Sequence, residues 1–306
     1  MIAVSLYLGK YLNDHSPQRS ARSALYSWGS KSVRPLMERI CFQSRKVSIA
    51  LTAADRSEGG RRLSGGMRDV RPLVSIVVVV FRDREELHEV AQSVFPHQSG
   101  EVELIVIDGG SGDGTVELLS SLNDQIDYWM SEPDEGIYDA MNKGVAASRG
   151  EYILHLNSGD RLIQVPLDTL RRCLEDDIDV ACCGVLMDGK NVYVPKTGFP
   201  MKIANWWHHQ GTFYRRSSHL GYDTGYRICG DFELNQRLVK AGASVRLFAD
   251  IVAEHQNNGI SMHPSGQKEI FRSIRLHFGA FYLPIAFLRL ELSKLKWAIV
   301  RRLRAS

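Results

Sequence analysis

From Leu73 to Leu156 the apolar residues fall alternately into a strand pattern and a helix pattern. Leu73–Phe81, LVSIVVVVF, is β-branched and apolar on both faces, as a central parallel strand is. Arg84–Phe95 then places Leu87, Val90, Ala91 and Val94 on one side of a helix. Val102–Ile107 reads as a second buried strand, and Thr115–Leu122 as a helix that Asp113 can cap. Ile126–Met130 is a third strand, Ile137–Ala147 a helix, and Tyr152–Leu156 a fourth strand. Such alternation requires a mostly parallel sheet with helices on both faces, an α/β class of Rossmann-like type.

Beyond Asp160 the spacing changes. A helix over Leu167–Leu174 is followed by strands at Asp179–Met187, Asn191–Val194 and Gly211–Arg215. Asp231–Lys240 is helical, and Val245–Phe248 and Ile251–Ala253 read as two short strands. This mixed half is expected to extend the same sheet. The sequence thus divides into a basic extension at 1–66, a catalytic-type domain at 67–267 and basic amphipathic helices at 268–306. The extension has no sustained apolar period, so it reads as disordered or spurious, with Met67 as the natural start.

Charge sharpens that division. The chain carries a net +3, but residues 1–70 carry +7, residues 268–306 carry +7 and the stretch between them −11. Basic ends suit an anionic surface, and an acidic middle suits a cation or acid–base groups. After Pro284, Leu288, Leu292, Leu295, Ile299 and Leu303 recur at spacings of four, three, four and four among Lys and Arg. That is the pattern of an interfacial helix, or of a terminal helix packed on the domain. No apolar run reaches the ~18–20 residues that span a bilayer. Five scattered cysteines without a CxxC spacing fit a reducing compartment rather than a zinc site. The expected location is cytoplasmic, peripheral at the inner face of the plasma membrane.

The glycine-rich turn Asp108–Thr115 is not a dinucleotide fingerprint. Counting G-x-G-x-x-G from Gly110 puts Thr115 at the third glycine, and from Gly112 puts Glu117 there. There is no P-loop spacing either. What remains is Asp108 at a strand end, able to accept from a base N–H or a ribose hydroxyl, or simply to cap its turn. The stretch Ser131–Asp160 adds Glu132, Asp134, Glu135 and Asp139 within nine positions, then the strand–turn that delivers Asp160. A carboxylate at the C-terminal edge of an α/β sheet suits a metal ligand, although acidic turns are common.

Six runs carry a resemblance: VSIVVVVFRD at Val74–Asp83, VIDGGSGDGT at Val106–Thr115, SEPDEGIYDAMNKG at Ser131–Gly144, GEYILHLNSGD at Gly150–Asp160, HHQGTFYRR at His208–Arg216 and GDFELNQRLVKAG at Gly230–Gly242. Together they resemble glycosyltransferase family 2, enzymes of GT-A fold that use a nucleotide-sugar donor, and within it the colanic-acid-type exopolysaccharide enzymes. The resemblance implies a role at each matching position. Phe81 and Asp108 fall beside the nucleoside, where many relatives have two adjacent Asp and this chain has Asp108-Gly109. Asp134, Asp139 and Asn142 match the donor-lining segment. Asn157 and Asp160 take the place of the metal motif, for Mg²⁺ or Mn²⁺, with a single carboxylate left. Asp231, at a helix start that favours the ionised form, matches the general base. Glu233 is the reserve base, and His209 and Gln210 lie toward the acceptor.

What this implies is inverting transfer from a UDP- or GDP-sugar to a saccharide acceptor, lipid-linked through polyprenyl diphosphate, with no nucleic acid involved. The thinned metal motif keeps a competing class open, a GT-A domain of weakened activity that scaffolds a polysaccharide assembly complex.

Overall fold

The structure, a computed structural model, describes residues 56–65, 71–256 and 264–305. The expectations for residues 1–55 and for Met67 lie outside the described residues. One mixed sheet of ten strands organises the described chain. Its centre is parallel: β2 (Val74–Val80) lies between β3 (Val102–Asp108) and β5 (Tyr152–Asn157), and β4 (Tyr128–Ser131) lies outside β3. Register aligns the strand ends, with Val80 opposite Asp108, Asp108 opposite Ser131 and Val79 opposite Asn157. Four carboxyl-terminal strand ends therefore share one edge.

The second half continues the sheet, as expected. β9 (Thr212–Arg215) runs antiparallel to β5, and β7 (Val180–Met187) antiparallel to β9. β10 (Val245–His255) is parallel to β7, so β5, β7 and β10 all point to the same edge. β6 (Arg161–Leu162) pairs with β10, and β8 (Asn191–Tyr193) with β7. β10 is one long strand where two short ones were expected. Its register against β7 shifts between Leu247 and Ala253, and that irregularity breaks the apolar alternation in the sequence.

Alternation along β2 feeds two apolar layers. Ile76 and Val78 face Leu87, Val90 and Val94 of α1 (Arg84–Val94), Leu119 of α2 (Thr115–Ser121) and Leu170 of α4 (Leu167–Glu175). Val77 and Val79 face Tyr138 and Met141 of α3 (Ile137–Ala147) and Leu234 and Leu238 of α5 (Gly230–Ala241). Each such side chain, fully buried, contributes roughly 1.5–3 kcal/mol. Asp113 caps α2 as expected, accepting from Thr115 N at 3.2 Å and Thr115 Oγ1 at 2.6 Å.

Both domain boundaries differ from the sequence reading. β1 (Ser57–Gly59) pairs antiparallel with β4, so the sheet takes in residues before Met67. Arg62 pairs with the buried Glu103 and donates to Ala147 O at 2.7 Å, fixing this segment to the parallel core. At the other end, α6 (Pro264–His277) runs across the boundary set at 267, burying Ile274 against Phe232 of α5 and Ala286 of α7 (Leu283–Ala305). Charge composition marked the 268 boundary, but the packing of α6 does not follow it. Among the described residues, no helix is long and apolar enough to cross a membrane.

Candidate active site

The shared strand edge gathers most of the expected residues, in two groups. In the first group, where the donor is expected, Phe81 follows β2 and is 56% exposed, with the Arg82 guanidinium 5.0 Å from its ring centre. Arg82 itself has φ 53°, a left-handed backbone that is uncommon outside glycine, and its N–H donates to Ser111 Oγ at 2.7 Å. Gly109 lies between Phe81 and Asp134. A Cβ at Gly109 would stand 2.4 Å from Asp134 Oδ2 and 3.2 Å from Phe81 Cδ2. The missing side chain thus leaves room for Asp134 Oδ2 beside Phe81, while the other carboxylate oxygen accepts from Gly136 N at 2.8 Å.

Three donor-side expectations take a different form. Asp108 is fully buried, and its carboxylate accepts from Ser111 N at 2.9 Å, from Ser111 Oγ and from Ser131 Oγ at 2.6 Å. It caps its turn and ties β3 to β4, the simpler of its two readings. Asn142 spends its amide on the backbone of Tyr222, donating at 2.9 Å and accepting at 2.7 Å. Asp139 accepts from Glu135 N and pairs with Lys143 at 3.3 Å, so it closes the first turn of α3.

The second group forms because β9 runs back along β5. That brings His208–Gly211 beside the Asn157–Asp160 turn, and parallel β10 brings His255 to the same place. Asp160 is buried; its Oδ2 accepts from Asn157 N at 2.7 Å and from Gln210 Nε2 at 3.0 Å. His255 Nδ1 lies 2.6 Å from Asp160 Oδ1, so the proton sits on Nδ1, since a carboxylate only accepts. Gln210 is fully buried and also contacts His208. Its amide is thus spent on positioning Asp160 and its histidine neighbours. Burial, then the neighbouring His209 and His255, push His208 down to about 4.

Asp231 stands in the first turn of α5. Asn205 Nδ2 donates to its Oδ2 at 2.8 Å, and Asn205 is oriented in turn by Asn235 Nδ2 at 3.0 Å. His209 Nδ1 is 3.5 Å from the same oxygen, and His209 Nε2 is 3.2 Å from Asn157 Nδ2. Burial opposes the Asp231 charge, yet His209, His208 and the Phe232 N–H outweigh it and hold the carboxyl below its ordinary range. Glu233 is not a reserve base. It is buried, clasped by Arg237 Nε at 2.8 and 2.9 Å and by His277 Nε2 at 3.0 Å, and locks α5 to α6.

The donor set at the turn suits a hard cation. Asn157 Oδ1 is buried with no hydrogen-bond partner, and the anionic Asp160 is three residues on. Among the described residues, no three His, Cys, Asp or Glu side chains converge as a ready ligand set. Were a metal held here, the chain would offer it few ligands, Asn157 and Asp160 with the His255 imidazole adjacent.

The model of the family described as glycosyl transferase family 2 matches residues 75–238, more than half the chain. The chain belongs to glycosyl transferase family 2. A family 2 fold accounts for the edge geometry, since the match runs from β2 through α5. A PGL/p-HBAD biosynthesis glycosyltransferase of Mycobacterium bovis is 27% identical over 203 residues, covering 61% of this chain and 77% of that protein. An uncharacterized glycosyltransferase of Mycobacterium tuberculosis is 45% identical over 91 residues, 29% of this chain. That match spans 35% of the mycobacterial protein's length. Among solved structures, Staphylococcus aureus TarS 1–349 in complex with UDP-GlcNAc shares the fold, with a TM-score of 0.53 at 16% identity, over 67% of this chain and 66% of that one. Sequence reasoning missed Asn205, and it left His255 unassigned. Neither lies in a periodic segment; only strand order brings them to Asp231 and Asp160.

Proposed function

We propose that this family 2 glycosyltransferase moves a sugar from a UDP- or GDP-linked donor to a lipid-linked saccharide in cell-surface polysaccharide assembly, with inversion. The observation that carries this reading is the held, ionised Asp231 beside His209, which reaches the Asn157–Asp160 turn. Asp231 accepts the proton of an acceptor hydroxyl as that oxygen bonds to the anomeric carbon. The bond from that carbon to the nucleoside diphosphate breaks in line, so the configuration inverts. His209 helps keep Asp231 charged. Phe81 and the free oxygen of Asp134 face the nucleoside side. A divalent ion, Mg²⁺ or Mn²⁺, held by Asn157 and Asp160, would neutralise charge on the leaving diphosphate. The resemblance to colanic-acid-type enzymes supports the polysaccharide setting. A non-catalytic scaffold would have no use for a base kept ionised against burial.

α7 supplies a route to a membrane-borne acceptor. Leu288, Leu292, Leu295 and Ile299 are 60%, 57%, 57% and 49% exposed on a helix rich in Lys and Arg. On this reading they enter the headgroup layer of the inner leaflet, with the cations against anionic lipid.

Screening UDP- and GDP-sugars for nucleotide release, with a polyprenyl-diphosphate-linked saccharide present, tests the activity. Release stimulated by acceptor is expected; no release from any donor would overturn it. Flotation with anionic liposomes tests the contact: Leu292→Glu with Leu295→Glu should abolish a salt-sensitive association. An association unchanged by that double substitution would remove α7 from the reading.

A further inference from the structure

Two cations crowd one indole beside the base. Lys196 Nζ lies 4.0 Å and Arg289 Cζ 5.1 Å from the ring centre of Trp206. Neither Lys196 nor Arg289 forms an ion pair with a carboxylate among the described residues. Trp206 Nε1 is itself buried and has no hydrogen-bond partner. Tyr193 packs against the same ring at 6.0 Å and donates through its hydroxyl to Asn205 O at 2.6 Å. Asn205 holds Asp231. The cluster therefore borders the catalytic carboxylate through one residue.

Cation–π contact stabilises each cation without neutralising its charge. An anion reaching this ring would neutralise the cations and give the indole N–H an acceptor. A phosphate oxygen suits both demands, since Arg and Lys bind it by charge-assisted hydrogen bonds. Arg289 also fixes what that anion carries. It belongs to α7, next in sequence to the exposed Leu288 and one turn before Leu292. An anion at Arg289 therefore lies where the apolar face of α7 meets the catalytic edge.

We propose that Lys196, Trp206 and Arg289 bind the acidic phosphate or diphosphate ester of the acceptor, with its apolar chain toward α7 and its sugar toward Asp231. The inference rests on the glycosyl-transfer reading and names the part of the acceptor that is recognised.

The test uses the full chain and phosphatidylcholine vesicles that carry a polyprenyl-diphosphate sugar. Vesicles with phosphatidylglycerol at matched surface charge serve as reference. Wild type should bind the first at least about tenfold more tightly, equal to about 1.4 kcal/mol. Lys196→Ala with Arg289→Ala should erase that preference while retaining binding to phosphatidylglycerol. Trp206→Phe keeps the ring under both cations and removes only the N–H donor, so it should lower the preference in part. Inorganic pyrophosphate separates the two sources of the anion. Partial competition supports a lipid ester, and full competition without any vesicle preference assigns the site to a soluble phosphate and overturns the acceptor role. Equal preference in wild type and the double variant overturns the site altogether. Nucleotide release from the donor without acceptor is read in parallel. Release without vesicle preference sinks this inference alone, and vesicle preference without release from any donor sinks the transfer reading instead.

Discussion

His209 Nδ1 stands 3.5 Å from Asp231 Oδ2. The opposite ring nitrogen reaches Asn157, so a single imidazole lies between the proposed base and the turn that would hold the donor's diphosphate. Asp231→Asn is isosteric and keeps most of these contacts, but it cannot take a proton. Transfer should fall roughly 10²–10⁴-fold, the usual weight of a general base, with nucleotide affinity nearly unchanged. Single-turnover transfer and nucleotide titration measure the two separately. Near-native turnover would remove Asp231 from the role of base.

Asp160→Ala should weaken donor and divalent ion together. It deletes the one carboxylate at the turn and also frees Gln210 and His255, which it now orients. With so few protein oxygens, the ion's affinity should depend on the bound diphosphate. Titrating Mn²⁺ with and without nucleoside diphosphate shows this as a marked gain in affinity when the nucleotide is present. Full activity in excess chelator would argue against metal assistance.

Gly109→Ala should raise the donor KM several-fold while lowering the free energy of unfolding by no more than about 1 kcal/mol. The added methyl meets Asp134 Oδ2 at 2.4 Å, and that oxygen is the end of a side chain that can swing away. The loss is therefore one of donor geometry, not of packing. An unchanged KM would mean that Asp134 takes no part in donor binding.

Acid should destabilise the fold well above the carboxylate range. Burial pushes His219 down to about 3 and His208 to about 4, and holds His155 well below its ordinary value. In the unfolded chain these groups titrate near pH ~6.5, so below that pH the unfolded state binds more protons. Their neutral burial costs nothing in protonation above pH ~6.5, and stability is lost as pH falls toward the folded values. Melting followed from pH 7 to 4 should show a falling midpoint. His219→Asn, which can still accept from Gly221 N, should flatten the slope by about one proton. An equally steep slope in that variant would assign the acid loss elsewhere.

Arg62→Ala should lower stability by about 3 kcal/mol, the low end for breaking a buried ion pair. Glu103 keeps Ser75, Arg149 N and Gly150 N as donors but loses its only cationic partner among the described residues. Urea unfolding of the full chain measures it, and a loss below about 1 kcal/mol would show that those donors suffice.

The parallel half was legible because its residues are local and periodic. Val74–Val80 and Val102–Asp108 are buried along their whole length, and an unbroken β-branched run says so directly. Ile137–Ala147 was legible to its ends, between Gly136 and Ser148. Asp231, the proposed base, was placed by motif alone. Glu233 was misjudged because two residues along a helix turn a side chain to another face, toward Arg237 and His277. Asn142 and Asp108 bond to the chain itself, and the sequence could not show this for a different reason. A polar side chain near a site looks alike in sequence whether it faces a ligand or the backbone of Tyr222 or Ser111. Arg62 left no signal, since one arginine among many in a basic stretch does not reveal which of them is buried.

The short strand at Ser57–Gly59 has a further consequence, for how copies of this chain behave at high concentration. Without it, Tyr128–Ser131 would be the outermost strand on that side of the sheet, with a free row of amide and carbonyl groups backed by the buried Trp129 and Met130. Such a row recruits strands from other molecules. Three residues in register fill it, and a three-residue strand is too short to recruit well in turn. Ser57–Gly59, in a segment that looks dispensable by composition, thus covers this edge, and removing it should show as aggregation before any loss of chemistry.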